Sequence, residues 1–461
     1  MKEHIKTTTI LSRSTEKKRE PKTTAIAWFE TALIILGLLG IFFLLPHVMW
    51  WPDAGFRFDT LSELLLHGKI SDTKYSIIGP LFSIPFWYLD TTHQTYWWTT
   101  RYNVFVFSIG LLTIYWLLKN YVDRGLLRKF FLLLIVGSMF SHHLQFYYGE
   151  VFTAIFVAVG CVMLVVGPGI TGWCAIILGV ANTPATLVGL ILLDAKHILT
   201  KRRVRYALAV AGALALIMLE SWIRRGSPFN SGYADDHGRQ TIMPYSGKPG
   251  FSNPFFFGLL SLLLSFGKGI FFFAPGLLLP IRQTLRTVQK TTKVDVFAIY
   301  TLWIGFLIGL LLIYSCWWSW HGGWFWGPRF LLFASIPASF ALAVRLQWRN
   351  ASLPMNIVIL SVLCLSIWVG IDGAIYGDDA LRSVCIQNWS IEEPLCYYTP
   401  EFSTLWYPFV AYQSLDSGQI LYLAYSLIAG LYLFVPLLIQ TGRQLITATR
   451  ESKWTRLNLR F

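Results

Sequence analysis

The sequence predicts an all-α fold: a polytopic transmembrane bundle of about ten spans plus a re-entrant hairpin, with amphipathic helices at its external face. Three observations predict it. Of 461 residues, 55% are hydrophobic and only 13% charged, whereas a soluble domain carries roughly 25% charged residues. Apolar runs of about 20 residues, the length that crosses a bilayer's hydrocarbon core, recur along the chain. Finally, 38 Lys and Arg outnumber 24 Asp and Glu, a formal net charge of +14, and the excess collects in alternate connecting segments. Charges this sparse cannot cover a phosphate-binding face, so the basic balance does not imply a nucleic-acid partner.

The expected spans are 25–45, 99–118, 129–147, 150–167, 206–222, 255–281, 296–315, 330–346, 354–375 and 419–440. Threading them alternately gathers the basic residues on one face. That face holds the N-terminal tail 1–24 with Lys17, Lys18 and Arg19, then Lys119 to Lys129, Lys196 to Arg205, Arg282 to Lys293, Arg345 with Arg349, and the C-terminal tail 441–461. The positive-inside rule places it, and both termini, in the cytoplasm. Segment 172–195 is apolar enough to span, but a crossing there would carry the following basic cluster outside. A break at Asn182, Thr183 and Pro184 reads instead as the tip of a re-entrant hairpin, because proline and its predecessor interrupt a helix. The stretch 75–89, short and broken by Pro80 and Pro85, belongs to the external layer. The first apolar run has no small-residue cleavage motif and reads as a retained anchor. Residues 25–375 are thus expected to form a transmembrane module that includes the first external loop, 46–98. An external loop, 376–418, and the last span follow. Cys385 and Cys396 share that later loop, where an oxidising compartment would allow a disulfide.

No Walker or dinucleotide motif occurs, and the cytoplasmic loops are too short for a nucleotide-binding domain. Any catalysis is therefore expected at the external face. Behind the first span, Asp59 and Glu63 belong to a capped amphipathic helix, with Asp59 at its start. Asp53 has no capping role; a partly desolvated carboxylate where the first span emerges suits a general base, against the plainer reading of a solvated loop acid. In CWWSWHGGWFWGPRF, Cys316 to Phe330, five Trp could form an interfacial belt. A belt does not require the paired glycines, nor Arg329 at the head of an apolar span, a costly charge without an anion. Arg329 with His321 suits a phosphate, against the plainer reading of a structural Arg–carboxylate pair. Lys268, flanked by Gly267 and Gly269, either snorkels to the interface or serves the same site. In SHHLQFYYGE, the polar side chains from His142 to Glu150 are expected to face a water-filled cavity. Adjacent histidines on a helix point about 100° apart, poor ligand geometry, so a divalent metal is not favoured and no cofactor is expected.

In this order the motifs resemble the GT-C fold membrane glycosyltransferases, particularly the group that includes protein O-mannosyltransferases and the lipid A aminoarabinose transferase. The resemblance rests on Asp53 and the leucine-rich helix after it, on Glu150 in YYGEVF, on SFGKGIFFFAPGLLL, and on WHGGWFWGPRFLLFASIP. It implies a sugar carried on a polyprenyl phosphate, moved with inversion to an acceptor hydroxyl that Asp53 deprotonates. Lys268, His321 and Arg329 are then expected to hold the departing phosphate, with Glu150, Asp59, His143 and Trp320 as substrate-binding candidates. Ala54 stands where the family more often has a second acid. The implied partners are the polyprenyl-linked donor, membrane lipids, and a glycan, lipid or protein acceptor, in an integral protein of a prokaryotic plasma membrane. Two other classes share these features: a lipid or solute transporter or flippase, which broken helices and buried charges would also suit, and a non-catalytic scaffold subunit.

Overall fold

The computed structural model describes residues 21–49, 52–90, 96–167, 169–201, 207–238, 240, 242–289, 294–323, 326–348, 351–377, 381, 385 and 392–458. The basic residues expected at 2–19, 202–205, 290–293, 349 and 460, and the acids Asp378 and Asp379, lie outside them.

Among the described residues the chain is helical, with a single isolated β-bridge between Val48 and Phe146. Helix α1 (Pro21–Leu44) leads to a layer of short elements: α2 (Pro52–His67), α3 (Ile78–Leu81), α4 (Ile84–Asp90) and α5 (Trp97–Thr100). The bundle continues with α6 (Tyr102–Leu118), α7 (Arg124–Val136), α8 (Phe140–His143), α9 (Gly149–Val166), α10 (Gly169–Asn182), α11 (Leu187–Lys201) and α12 (Ala207–Arg225). After a long loop come α13 (Phe255–Leu264), α14 (Ile270–Phe273), α15 (Arg282–Gln289), α16 (Val296–Cys316), α17 (Ser335–Gln347) and α18 (Leu353–Ile375). Helices α19 (Glu392–Tyr398) and α20 (Ser417–Asn458) close the chain. Seven of the helical segments are long and apolar enough to cross a membrane, and three shorter apolar helices, α6, α10 and α13, lie among them. Asp123 and Asp295 accept the Leu126 and Ala298 amides and so start α7 and α16, satisfying donors that a helix start leaves open.

Two expected spans are broken. Span 129–147 ends as a helix at Val136, where the Gly137 backbone meets Gly370 of α18. The chain then runs through α8 into an extended segment whose backbone is paired, Val48 N–H donating to Gln145 O at 2.9 Å. Span 255–281 breaks at Ser265–Gly269, and the freed groups are met from the C-terminal loop: Gly267 N–H donates to Tyr397 O and the Ser403 hydroxyl to Phe266 O. Irregular backbone at this depth persists because protein surrounds it. The last helix, by contrast, continues through the expected C-terminal tail to Asn458.

The break at Asn182 separates two arms of comparable length, α10 and α11, joined by a 3-10 turn at Pro184–Thr186. They pack outward rather than on each other. α10 lies on α9, where Gly160 and Gly172 bring backbones so close that a Cβ on Gly160 would meet Gly172 O at 2.7 Å. α11 runs antiparallel to α16, from Gly189 beside Gly309 down to the Lys196 ammonium, which donates to the Thr301 hydroxyl. The tip is fixed by Asn182: its Oδ1 accepts from Gly79 N–H at 2.9 Å and its Nδ2 donates to Gly149 O at 2.8 Å. The expected external layer, 75–89, is thereby tied to the hairpin tip and to the start of α9.

Candidate active site

Four stretches far apart in the chain converge at the end of the bundle marked by the hairpin tip. Asp53 occupies the first turn of α2, and Glu150 the first turn of α9. Arg329 follows Gly327, whose φ of +64° turns the chain, and opens a 3-10 segment leading into α17. The Arg329 Nη2 forms an ion pair with Asp53 Oδ2, and its Nε lies 3.4 Å from Glu150 Oε1. The side chains are 7%, 13% and 13% exposed, respectively, so the pairing operates with little solvent screening. The guanidinium also lies over the rings of Tyr148 and Phe330 at 5.1 and 5.2 Å.

The other Asp53 oxygen, Oδ1, accepts the Tyr75 hydroxyl proton. Burial pushes the Asp53 carboxyl upward. Arg329, the Tyr75 hydroxyl and Arg57 more than offset this and hold it below the ordinary carboxylate range. Tyr75 is pushed well above the usual phenol range, first by burial and then by the Asp53 charge, so it stays a donor. Arg57, one helical turn after Asp53, is buried, donates to Ser76 O at 3.1 Å and lies against Gly149, where a Cβ would meet its guanidinium carbon at 2.7 Å. Only glycine leaves that space.

These groups open onto a cavity of about 1080 Å³. Asp53, Arg57, Tyr75, Glu150, His321 and Arg329 line its polar wall, while Leu187, Val188, Ile217 and Ile313 from α11, α12 and α16 line an apolar one. The long loop 226–254 contributes Tyr233, Asp236 and His237 on the outer side, with Lys74 paired to Asp236 at 2.9 Å. His321 Nδ1 accepts from Gly323 N–H at 3.0 Å and from the Tyr397 hydroxyl at 2.9 Å, which leaves the ring hydrogen on Nε2. Burial first, then Lys268 and Arg329, lower this ring to about 3. It is thus a neutral donor rather than a second positive charge.

Lys268 does not snorkel. It is buried behind the wall and donates to Gly327 O at 3.0 Å, beneath the turn that presents Arg329. Trp320 is also buried off the cavity, packed on His321 and Tyr397 with ring centroids 5.6 Å away in each case. His143 donates from Nδ1 to Met139 O and packs against Trp326, so it supports the floor instead of facing the space, as does His142, which donates to Gly373 O. Of the polar cluster expected to face water, His142, His143 and Gln145 are satisfied by backbone carbonyls and Tyr147 meets the Ser83 hydroxyl, whereas Glu150 does line the cavity. Asp59 is exposed on another face of α2 and does not reach the cavity. Among the described residues no three His, Cys, Asp or Glu side chains are arranged to hold a metal ion. Cys385 and Cys396 are bonded to one another, one residue before the Tyr397 that reaches His321.

Arg57, Tyr75, Tyr233 and Tyr397 are the site residues that motif reading passes over. Arg57 carried a signal: it is a basic residue four positions from Asp53 in the segment after the first span, and therefore on the same helical face.

No family model and no curated protein matches the sequence. The folded chain is nonetheless similar to two crystal structures of ArnT from Cupriavidus metallidurans, one bound to undecaprenyl phosphate and one in the apo state. Sequence identity is 14% in both, covering 89% of this chain and 78% and 77% of ArnT, with TM-scores of 0.50 and 0.51. The chain has the GT-C fold. It is an integral membrane protein, and within its GT-C bundle the first loop, the start of α9 and the entry to α17 supply the walls of one amphiphilic cavity.

Proposed function

We propose that this chain is a membrane glycosyltransferase that moves a sugar from a polyprenyl phosphate to an acceptor hydroxyl, with Asp53 as general base. The observation that carries the reading is the Asp53–Arg329–Glu150 cluster facing a cavity polar on one wall and apolar on the other. An amphiphilic donor matches both walls: sugar and phosphate against the charged side, prenyl chain against Val188, Ile217 and Ile313. The ArnT structure solved with undecaprenyl phosphate supports that class of lipid partner.

In the proposed step the acceptor O–H proton passes to Asp53 while the acceptor oxygen bonds to the anomeric carbon. The bond from that carbon to the phosphate oxygen breaks on the opposite face, and polyprenyl phosphate leaves with the electron pair. Inversion follows from this single displacement. Arg329 is the charge that stabilises the leaving phosphate, the largest contribution expected from preorganised electrostatics. Arg57 and the His321 Nε2–H lie on the same wall. Lys268 acts through Gly327. The acceptor in this reading is a glycan, lipid or protein hydroxyl. The sorting of the basic segments supports a topology with both termini cytoplasmic and the site on the outer face of a prokaryotic plasma membrane.

The test is incorporation of labelled sugar from polyprenyl-linked donors in membranes. Asp53→Asn and Arg329→Ala should each abolish transfer while Asp59→Asn retains it. Transfer that survives both of the first two changes would rule out the assigned site.

A further inference from the structure

Asp53 carries a donor on each of its oxygens: the Tyr75 hydroxyl on Oδ1 and the Arg329 guanidinium on Oδ2. Its side chain is only 13% exposed. An acceptor hydroxyl that is to lose its proton needs a basic oxygen, and the donor on each Asp53 oxygen lowers its basicity. Arg329 is meanwhile shared between two carboxylates, while Arg57, Lys74 and Arg225 are the other cationic side chains lining the cavity. A phosphate arriving from the cavity adds a third anion that competes with Asp53 and Glu150 for the Arg329 guanidinium. Opposite charges at this depth interact strongly, so that competition weakens the hold of Arg329 on each carboxylate.

Building on the glycosyltransferase reading, we propose that Arg329 is a latch on the base: the donor phosphate draws Arg329 away from Asp53, so the carboxylate becomes competent only after the donor is seated. Tyr75 is the positioning residue that keeps Asp53 aimed at the cavity when Arg329 lets go. Binding is therefore ordered, donor before acceptor, and the empty enzyme holds no active base. The low basicity of Asp53 in the unliganded site accords with this. Coupling is reciprocal: whatever the phosphate does to the hold of Arg329 on Asp53, Asp53 does to phosphate binding.

The full chain in lipid nanodiscs, with undecaprenyl phosphate as the probe and aspartate labelled with carbon-13 at the carboxyl, tests the latch by infrared difference spectroscopy. Adding the lipid should shift a carboxylate band in the wild type that Asp53→Asn lacks and Glu150→Gln keeps. Asp53→Asn should bind undecaprenyl phosphate about tenfold more tightly, a typical size for coupling between two ligands of one group. Lipid binding of equal strength in both proteins, with the Asp53 band unmoved, overturns the latch and leaves the transferase reading standing. Absence of binding in both overturns the two together. Tyr75→Phe supplies an independent check should Asp53→Asn fold poorly. It should shift the same band without lipid and lower kcat while leaving undecaprenyl phosphate affinity unchanged; an equal loss in affinity contradicts the positioning role.

Discussion

The two ends of the bundle each hold a buried ion cluster, and the contrast separates structure from chemistry. Away from the cavity, Glu30 of α1 is fully buried and receives Arg128 Nε and, at 3.2 Å, Lys129 Nζ from α7, with the Tyr432 hydroxyl of α20 donating at 2.6 Å. One acid faces two bases and a phenol, and none of these residues lines the cavity at the other end. At the other end one guanidinium serves two acids beside about 1080 Å³ of space. The same residue types clamp three helices in the first case. In the second they stand where a ligand can enter, and charged side chains that converge on a cleft mark a candidate functional site.

The largest effect that would sharpen this contrast is Arg329→Ala. It removes the ion pair from two largely buried carboxylates, which should cost about 3–5 kcal/mol of stability and, per folded molecule, roughly 10²–10³-fold or more in sugar transfer. Thermal melting and labelled-sugar incorporation read the two losses separately, and Arg329→Lys should recover stability better than transfer because it keeps the charge without the fork. Next in size is Arg128→Ala. Glu30 retains Lys129 and Tyr432, so about 1–3 kcal/mol should be lost, with transfer per folded molecule unchanged. If it silenced transfer as Arg329→Ala does, the division between the two ends would fail.

The acid side gives a smaller effect with a definite sign. Asp53 is held below its unfolded value of about 3.9. Its pairing therefore contributes fully above that value and is lost as the pH falls through the depressed one. Melting temperature should drop over that window in the wild type, and Asp53→Asn should lack this component of the drop. The smallest effect expected is from Tyr397→Phe, which deletes one hydrogen bond to His321. About 1 kcal/mol at stake corresponds to several-fold slower transfer with helical content unchanged by circular dichroism.

Much of this was legible in the sequence because apolar length and the sorting of basic residues report directly on a bilayer. The hairpin at Asn182 was legible because Pro184 and its predecessor disfavour a continuous helix and the basic cluster that follows argues against a full crossing. Asp53, Glu150 and Arg329 each stood out as a charge where a membrane chain can least accommodate one. Their mutual contact did not, since nothing local in Asp53 or its neighbours specifies a partner hundreds of residues away. Tyr75 and Tyr397 were hidden for another reason: a tyrosine at a membrane interface is unremarkable until its hydroxyl is seen on Asp53 or His321. The breaks at Gly137 and Ser265–Gly269 were missed because hydropathy measures solvent preference and is blind to backbone contacts such as Gly370 on Gly137 or Tyr397 on Gly267.

The separation of Arg329 from its two acids also bears on how the protein is made. Chains emerge from the N-terminus, and domains form in that order. Gly79 and Gly149 both precede the Asn182 that brackets them, so the hairpin tip can dock as soon as it is synthesised. Asp53 and Glu150 must instead wait until the ribosome has passed residue 329. During that interval the two carboxylates lack Arg329, and arrival of the Gly-Pro-Arg turn is the biogenesis step that completes the Asp53–Arg329–Glu150 cluster.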